Sequence, residues 1–192
     1  MDPIYNSYTE SSSLKIKIIE FIQTAVVFAA IGTAIYLFIA QPHKVSGSSM
    51  FPTLHTGDYI ITNKVNYRLN DPKRGEIIVF KNPREESQDF IKRILGLPGD
   101  KVRVEKGHIF VNDVQLNESY LISSVITLPG SFLKEGSDEI VSKDHYIVIG
   151  DNRLASSDSR EWGFISREEI IGQAFFRYWP LISIGLIKSA QY

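Results

Sequence analysis

Three serines lie close together in the stretch VSGSSMFPTL, at positions 46, 48 and 49. A serine hydroxyl is a weak nucleophile and attacks a carbonyl carbon only when a neighbouring base removes its proton. The stretch follows a long apolar run, where a serine-rich linker is the simpler interpretation. A catalytic role for any of these serines therefore requires a base elsewhere in the chain.

Histidine is the usual base for a serine nucleophile. The chain has four histidines, at positions 43, 55, 108 and 145. None of them lies in a phrase typical of a catalytic histidine, although distance along the chain excludes none of them. A histidine base is therefore left open but has no support from its local sequence.

Lysine is the alternative base, and it must be neutral to accept a proton. Its pKa has to fall from about 10.4 to roughly 7–8, which requires a desolvated amine. Lys92 has the most apolar setting of the lysines, in the strand-like phrase FIKRIL at 90–95. Alternation places Lys92 on one apolar face of that strand and Arg93 on the other. The pattern therefore does not decide which of the two side chains is buried.

A third phrase that could contribute catalytic groups is GDNRLASSDSREWG at 150–163. Its simplest interpretation is a polar loop with an ion pair between Asp158 and Arg160, which would stabilise the fold little if it were exposed. The hydroxyls of this loop could also orient a lysine amine. The phrase is therefore a possible part of a site built on Ser49 and Lys92.

The apolar run that precedes the serines extends from Phe21 to Ala40 and carries no charge. About 20 apolar residues cross a bilayer core as a helix. A buried core helix would show a polar stripe, which this run lacks. A cleaved signal peptide would end in small residues, and Phe38-Ile39-Ala40 is a poor cleavage site. The sequence thus predicts a tail at 1–17 and a membrane anchor at 18–41.

Charge gives a weak orientation and excludes some partners. Lys15 and Lys17 precede the span, whereas His43 and Lys44 follow it, so the positive-inside rule modestly favours a cytoplasmic N-terminus. A formal net charge of -1 gives no reason to expect nucleic acid as a partner. The absence of cysteine excludes disulfides, thiolate nucleophiles and cysteine metal sites.

Residues 42–192 predict a mostly β domain outside the cytoplasm. Short β-branched runs punctuated by Gly and Pro predict strands. They lie at 59–62, 76–80, 90–95, 101–105, 109–111 and 145–149. Residues 166–169 predict one helical turn, and residues 118–144 predict an irregular excursion. The apolar segment 179–187 is too short to span a membrane; a last strand or an interfacial segment is possible, and core packing is the favoured interpretation.

Four phrases in order resemble the conserved boxes of bacterial type I signal peptidases, peptidase family S26. They are SMFPTL at 49–54, GEIIVF at 75–80, FIKRILGLPGD at 90–100, and GDNR at 150–153 continued through Ser156, Asp158, Ser159 and Arg160. The resemblance implies an antiparallel β-sheet catalytic domain behind one transmembrane helix. It implies a serine endopeptidase that removes signal peptides from exported precursors at the outer surface of the bacterial cytoplasmic membrane, with no cofactor and no metal.

The resemblance also assigns roles to individual residues. Ser49 matches the nucleophile and Lys92 the general base. Supporting positions are Ser156, which would hydrogen-bond and orient the lysine, the Asp158–Arg160 ion pair, and the wall formed by Gly150, Asp151 and Asn152. Substrate-binding positions are Phe90 and Ile91 along one strand edge, and Met50, Leu54 and Ile60 in shallow apolar pockets.

One departure from the family concerns the oxyanion hole. Some members place a serine two residues before the nucleophile, whereas this chain has Gly47; other members also carry glycine there. The Ser49 N–H matches one family donor, and Ser46 or Ser48 could supply the second.

Two other functions compete with a signal peptidase. A self-cleaving repressor-type protease uses the same pair of residue types, but such proteins are soluble and carry a DNA-binding arm. An inactive, membrane-tethered domain that binds export substrates would have no need of Ser49, Lys92 and Ser156 together.

Overall fold

A computed structural model describes residues 3–85, 87–122 and 125–192 of the chain. The chain divides into two compact units, Met1–Ile39 and Ala40–Tyr192, which are described separately.

The first unit is one long helix, α1, at Pro3–Phe38. Its part from Lys15 to Phe38 is long and apolar enough to cross a membrane. Apolar side chains point outward all round it; Phe21 is 74% exposed and Phe28 is 69% exposed. The helix ends at Phe38 rather than at the expected 41, because Ala40 and Gln41 already pair with another strand of the second unit.

The second unit is mostly antiparallel β-sheet, as predicted. Its strands are β1 Ala40–Lys44, β2 Tyr59–Asn63, β3 Ile77–Lys81, β4 Asp89–Gly96, β5 Lys101–Glu105, β6 His108–Val111, β7 Val114–Gln115, β8 Glu139–Ile140, β9 His145–Ile149, β10 Ile165–Ser166, β11 Ile170–Trp179 and β12 Gly185–Leu186. Short helices lie at α2 Asn66–Leu69 and α3 Ser159–Trp162. A 3-10 turn at Arg167–Glu169, with a capping box from Ser166, is the predicted helical turn.

The strands form two sheets. The larger one has the order β1-β2-β11-β3-β4-β9-β10, with β12 on β11, and the smaller one has the order β7-β6-β5-β8. Within β5, Val102 and Val104 are fully buried while Lys101 and Arg103 are not, so one face of the predicted strand at 101–105 packs inward. The excursion at 118–144 contributes only β8 in its described part.

The expectation that the C-terminal apolar segment packs in the core is wrong. Trp179, Leu181, Ile182, Ile184 and Leu186 are all at least half exposed, and Ile182 reaches 97%. A 3-10 turn at Leu181–Ser183 and the two-residue strand β12 carry these side chains along the edge of the sheet. The segment is too short and too irregular to bury a whole face. Ile187 packs half-buried against the core around Met50, whereas the other apolar side chains of the segment remain outward.

Two features of the larger sheet position the serine and lysine phrases. Strand β4 pairs with β3 along Asp89–Arg93 but meets β9 only from Arg93 onward. Strand β1 pairs with β2 up to Lys44, and the chain then forms a loop that Val45 N–H closes on the Asp58 carbonyl at 2.8 Å. One side of β4 at 89–92 is therefore left free of strand partners in the described structure.

Candidate active site

Ser49 lies at the tip of the loop between β1 and β2. The Phe51 N–H donates to the Ser48 carbonyl at 3.0 Å and the Leu54 N–H to the Met50 carbonyl at 2.9 Å. Met50 and Leu54 are buried in the core and anchor the loop. Because its neighbours on one side are buried and those on the other are exposed, Ser49 is held half-buried at the surface.

The Lys92 amine reaches Ser49 from β4. The distance from Lys92 Nζ to Ser49 Oγ is 2.9 Å, and Nζ also donates to the Ile91 carbonyl at 3.1 Å. The amine lies 5.0 Å from the centre of the Phe90 ring, and the Lys92 side chain is almost wholly buried. The structure thus brings together the two residues that the sequence singled out.

Burial changes the protonation of Lys92. Desolvation lowers the pKa of Lys92 from 10.5 to about 8; the charges of Asp158 and Asp151 oppose this change and that of Arg160 reinforces it. A substantial fraction of the amine is therefore neutral near physiological pH. A neutral amine within hydrogen-bond distance of a hydroxyl can accept its proton.

Arg93 is also buried, which the alternation pattern left open. Its guanidinium is 1% exposed and bonds Asp151 through Nε at 2.9 Å and Nη2 at 2.7 Å. Its Nη1 donates to the Gly75 carbonyl at 2.7 Å. Lys92 and Arg93 therefore use opposite faces of β4, one directed at Ser49 and the other at Asp151. The sequence analysis left the burial of Arg93 open and did not predict its pairing with Asp151.

The loop after β9 closes on the serine loop. The Asn152 N–H donates to the Ser49 carbonyl at 2.9 Å, and Asn152 Nδ2 donates to the Ser48 carbonyl at 3.1 Å. Gly150 permits this approach, because a Cβ there would lie 2.5 Å from the Ser49 carbonyl oxygen and 2.2 Å from Ser156 Oγ. The predicted wall residues Gly150, Asp151 and Asn152 thus lie beside the site.

The Asp158–Arg160 ion pair exists and is buried. Arg160 Nε and Nη2 contact the Asp158 carboxylate at 2.8 Å and 2.9 Å. The same carboxylate accepts the Gly150 N–H at 3.1 Å. The pair therefore holds the start of the wall loop, and its charges act on the pKa of Lys92.

Ser156 does not make the bond that the resemblance implied. Its hydroxyl is buried and has no hydrogen-bond partner among the described residues. The Lys92 amine is directed at Ser49 Oγ and the Ile91 carbonyl instead. Ser156 Oγ packs against Gly150, so it lies next to the site but does not orient the lysine in this structure.

A cleft of about 290 Å³ leads to Ser49 between the end of β1 and the free side of β4. Met50, Phe90 and Ile91 line it, as expected for substrate-binding positions. Leu54 and Ile60 do not line it; both are 0% exposed and belong to the core beneath Met50. Leu54 and Ile60 therefore do not form the pockets as predicted; they belong to the core that packs beneath Met50.

The backbone N–H of Ser49 donates to no protein acceptor in the described structure. It is therefore available to an oxygen that develops negative charge during acyl transfer. Ser46 and Ser48 both line the cleft and are exposed, so the second donor is not assigned by their positions.

Histidines and metal ligands take no visible part. The side chain that bonds Ser49 Oγ is Lys92. Of the two histidines equally near in sequence, His55 stacks edge-on against Phe51 at 5.2 Å and His43 lies 3.8 Å from the Asp89 carboxylate. Among the residues described, no cluster of three or more acidic or histidine side chains could hold a metal ion.

Comparison with known proteins matches residues 18–179 to the family described as signal peptidase, peptidase S26. A probable signal peptidase I-2 of Synechocystis sp. is 42% identical over 175 residues, which are 88% of this chain and 77% of the relative. A signal peptidase I of Leptolyngbya laminosa is 36% identical, over 88% of this chain and 83% of its own. A signal peptidase IB of Staphylococcus aureus is 32% identical, over 87% of this chain and 92% of its own.

Proposed function

Because this chain belongs to the type I signal peptidases of peptidase family S26, we propose that it removes signal peptides from exported precursors with Ser49 as nucleophile and Lys92 as general base. The observation that supports the assignment is the 2.9 Å distance between Lys92 Nζ and Ser49 Oγ, in a setting that lowers the pKa of the amine to about 8.

In the proposed reaction, neutral Lys92 accepts the Ser49 proton as Oγ attacks the carbonyl carbon of the scissile peptide bond. The Ser49 N–H stabilises the oxyanion. The protonated lysine then gives its proton to the leaving amine, which departs as the N-terminus of the mature protein. A water molecule, deprotonated by Lys92, hydrolyses the acyl-enzyme and releases Ser49.

The cleft suits an extended peptide rather than a folded one. A substrate strand can add its backbone hydrogen bonds to the free side of β4 at 89–91. Met50, Phe90 and Ile91 line the cleft, and we propose that they form shallow pockets for the substrate side chains next to the cut. Such a pocket excludes large residues sterically, while single methylene differences change affinity only weakly. Preference for small residues next to the cut follows from this shape.

We infer that α1 anchors the enzyme in the cytoplasmic membrane with the catalytic unit on the extracytoplasmic side. The helix is long and apolar enough to cross a membrane over Lys15–Phe38 and carries no charge at 21–38, and the catalytic unit begins two residues after it ends. Lys15 and Lys17 before the span favour a cytoplasmic N-terminus.

A precursor-cleavage assay with full-length variants tests the assignment. Ser49→Ala and Lys92→Ala should each lower cleavage by at least about 10³-fold, as loss of a nucleophile or base does. Lys92→Arg should be equally inactive, because a guanidinium keeps its proton at any workable pH. Ser48→Ala should keep much of the activity, because Ser48 is exposed and its carbonyl makes the local hydrogen bonds. This variant distinguishes the nucleophile from its neighbour, and any partial loss measures a contribution of the Ser48 hydroxyl to the oxyanion hole.

Turnover by Ser49→Ala at the wild-type rate would overturn the nucleophile. Activity of Lys92→Arg near neutral pH would point to a histidine base instead. Binding of the precursor by the wild-type protein without any cleavage would favour a non-enzymatic binding domain.

A further inference from the structure

The last described residues of the chain, Lys188–Tyr192, run across the back of the catalytic sheet; we call them the C-terminal strap. The Ala190 N–H donates to the Gly75 carbonyl at 3.1 Å. At Gly75 the two segments are so close that a Cβ would lie 2.1 Å from the Ala190 carbonyl oxygen. Gly75 also has a φ of +87°, which favours glycine. Both the backbone conformation and the close approach of Ala190 therefore require a residue without a side chain here.

The Gly75 carbonyl is shared between the strap and Arg93. It accepts the Ala190 N–H and also Arg93 Nη1, at 2.7 Å. A displacement of the strap therefore changes the environment of an oxygen that fixes the Arg93 guanidinium. Arg93 is the residue next to Lys92 on β4 and pairs with Asp151.

Tyr192 adds a second contact between the strap and Arg93. Its hydroxyl lies 2.9 Å from that of Tyr120, and the two rings meet edge to face at 6.3 Å. The Arg93 guanidinium stacks on the other ring of this pair, 4.1 Å from the centre of Tyr120. Tyr120 is itself held by Arg153, whose Nη2 lies 3.1 Å from the Tyr120 hydroxyl and whose Nε donates to the Gly150 carbonyl at 3.1 Å.

These contacts converge on the segments that carry the dyad, which are strand β4 with Lys92 and the loop with Ser49. Arg93 lies on the Lys92 strand, and its partner Asp151 lies between Gly150 and Asn152, which contact Ser49. Asp151 also accepts a hydrogen bond from Thr53 Oγ1 in the serine loop. A buried ion pair holds its geometry only while water is excluded and its hydrogen bonds are complete. The strap reaches this pair through the Gly75 carbonyl and the Tyr120 ring, and Tyr192 itself is 42% exposed.

We propose that the C-terminal strap positions the catalytic dyad: Tyr192, through Tyr120 and the shared Gly75 carbonyl, keeps Arg93 on Asp151 and so holds Lys92 against Ser49. Tyr192 touches neither the reacting atoms nor the cleft lining, so it is a positioning residue. The proposal rests on the assignment of Ser49 and Lys92 as the dyad.

The test is the pH dependence of precursor cleavage by purified full-length enzyme with the substitutions Tyr192→Ala, Tyr192→Phe and Gln191→Ala. The charged groups that act on Lys92 are Asp158, Asp151 and Arg160. Because cleavage requires neutral Lys92, kcat/KM should increase with pH and reach half of its maximum near pH 8. Loss of the Tyr192 ring loosens the contact of Arg93 with Asp151. The Asp151 charge, which raises the pKa of Lys92, is then less compensated. The midpoint should then move upward by about one pH unit, which lowers the rate at pH 7 about tenfold and much less at pH 9.5.

Three comparisons make the result decisive. Gln191→Ala, an exposed neighbour in the strap, should match wild type, and Tyr192→Phe should shift the midpoint in the same direction but less. A Tyr192→Ala profile that overlays that of Gln191→Ala would overturn the proposal, and so would a uniform loss with an unchanged midpoint. If Tyr192→Ala does not fold, the Tyr192→Phe midpoint decides in the same way. Ser49→Ala and Lys92→Ala are assayed alongside, because activity in these variants would show that the assignment of the dyad, rather than the role of the strap, is wrong.

Discussion

At the scale of single residues, the candidate site depends on two adjacent buried cations that have opposite tasks. Lys92 is buried without a carboxylate partner in contact, so its charged form is disfavoured and its amine can act as a base. Arg93 is buried against Asp151 and keeps its charge. Exchanging the two residue types would place a permanent charge beside Ser49 and leave Asp151 with a weaker partner.

The burial of Lys92 has a measurable effect on stability. Lowering its pKa from 10.5 to about 8 corresponds to a penalty of about 3 kcal/mol for the folded state at pH 7. We expect Lys92→Met to be inactive yet more stable than wild type at pH 7, by about 2 kcal/mol, because an apolar side chain replaces a desolvated cation. Denaturant unfolding of the two proteins at several pH values measures the difference.

The sign of the pH dependence follows from proton binding. Between about pH 8 and pH 10.5 the unfolded chain holds a proton on Lys92 that the folded protein has released, so wild-type stability rises with pH in this window. The advantage of Lys92→Met should therefore shrink as pH rises through it. A constant advantage from pH 7 to pH 10 would contradict the lowered pKa.

At the scale of elements, the site is formed by three segments that meet at Gly150. The serine loop, strand β4 and the loop after β9 are separated widely in the chain, and backbone contacts, side-chain hydrogen bonds and a buried ion pair join them. Local sequence patterns predicted each segment, because strand alternation and turn residues are short-range signals. They could not predict the Arg93–Asp151 pair or the unpartnered Ser156 hydroxyl, because both depend on which distant segments approach.

Substitution of Gly150 by alanine tests how closely these segments must pack. The new Cβ would lie 2.5 Å from the Ser49 carbonyl oxygen and 2.2 Å from Ser156 Oγ, so one loop has to move. We expect Gly150→Ala to lower kcat about 10²-fold, the loss typical of a displacement near 1 Å at a reacting centre. Steady-state cleavage of a precursor measures it.

Leu154→Ala is the matched control for this loop, because Leu154 is 68% exposed and contributes no packing to the site. Its kcat should stay within about twofold of wild type, in line with the small effect of exposed substitutions. Equal activity of the two variants would mean that the loop adjusts without affecting Ser49.

At the scale of the whole molecule, the chain consists of one apolar helix and one β-rich unit that carries the candidate site. The sequence predicted the N-terminal apolar helix and the positions of several strands, and the family resemblance implied the antiparallel fold. The sequence did not predict the long strand β11 or the order of the strands within the sheets. It was wrong about the C-terminal apolar segment, because a short apolar run reads alike whether it packs inward or remains outward as Ile182 does. The strap was also beyond prediction, since the Tyr120–Tyr192 contact joins two phrases that carry no local signal.

The helix should matter for membrane substrates more than for the chemistry. The unit 40–192 is compact by itself, so without α1 we expect it to cleave a soluble signal-peptide fragment with kcat/KM within a few-fold of full length. On a precursor held in vesicles it should be slower by about 10²-fold, because the anchor raises the effective concentration of enzyme at the bilayer. Parallel assays on both substrates measure the ratio.

Equal rates of the two enzymes on vesicle-bound precursor would contradict the anchoring role of α1. A loss of the same size on both substrates would instead show that the helix is needed for folding of the catalytic unit.

The position of β11 in the larger sheet has a consequence for biosynthesis. Strand β11 lies between β2 and β3, although it comes far later in the chain than either of them. Strands β2 and β3 therefore lack their shared partner β11 until the residues between β4 and β10 have been made. Long-range pairing of this kind is slow to form. In the proposed orientation, the newly made enzyme can process exported proteins only after β11 has itself been exported across the membrane.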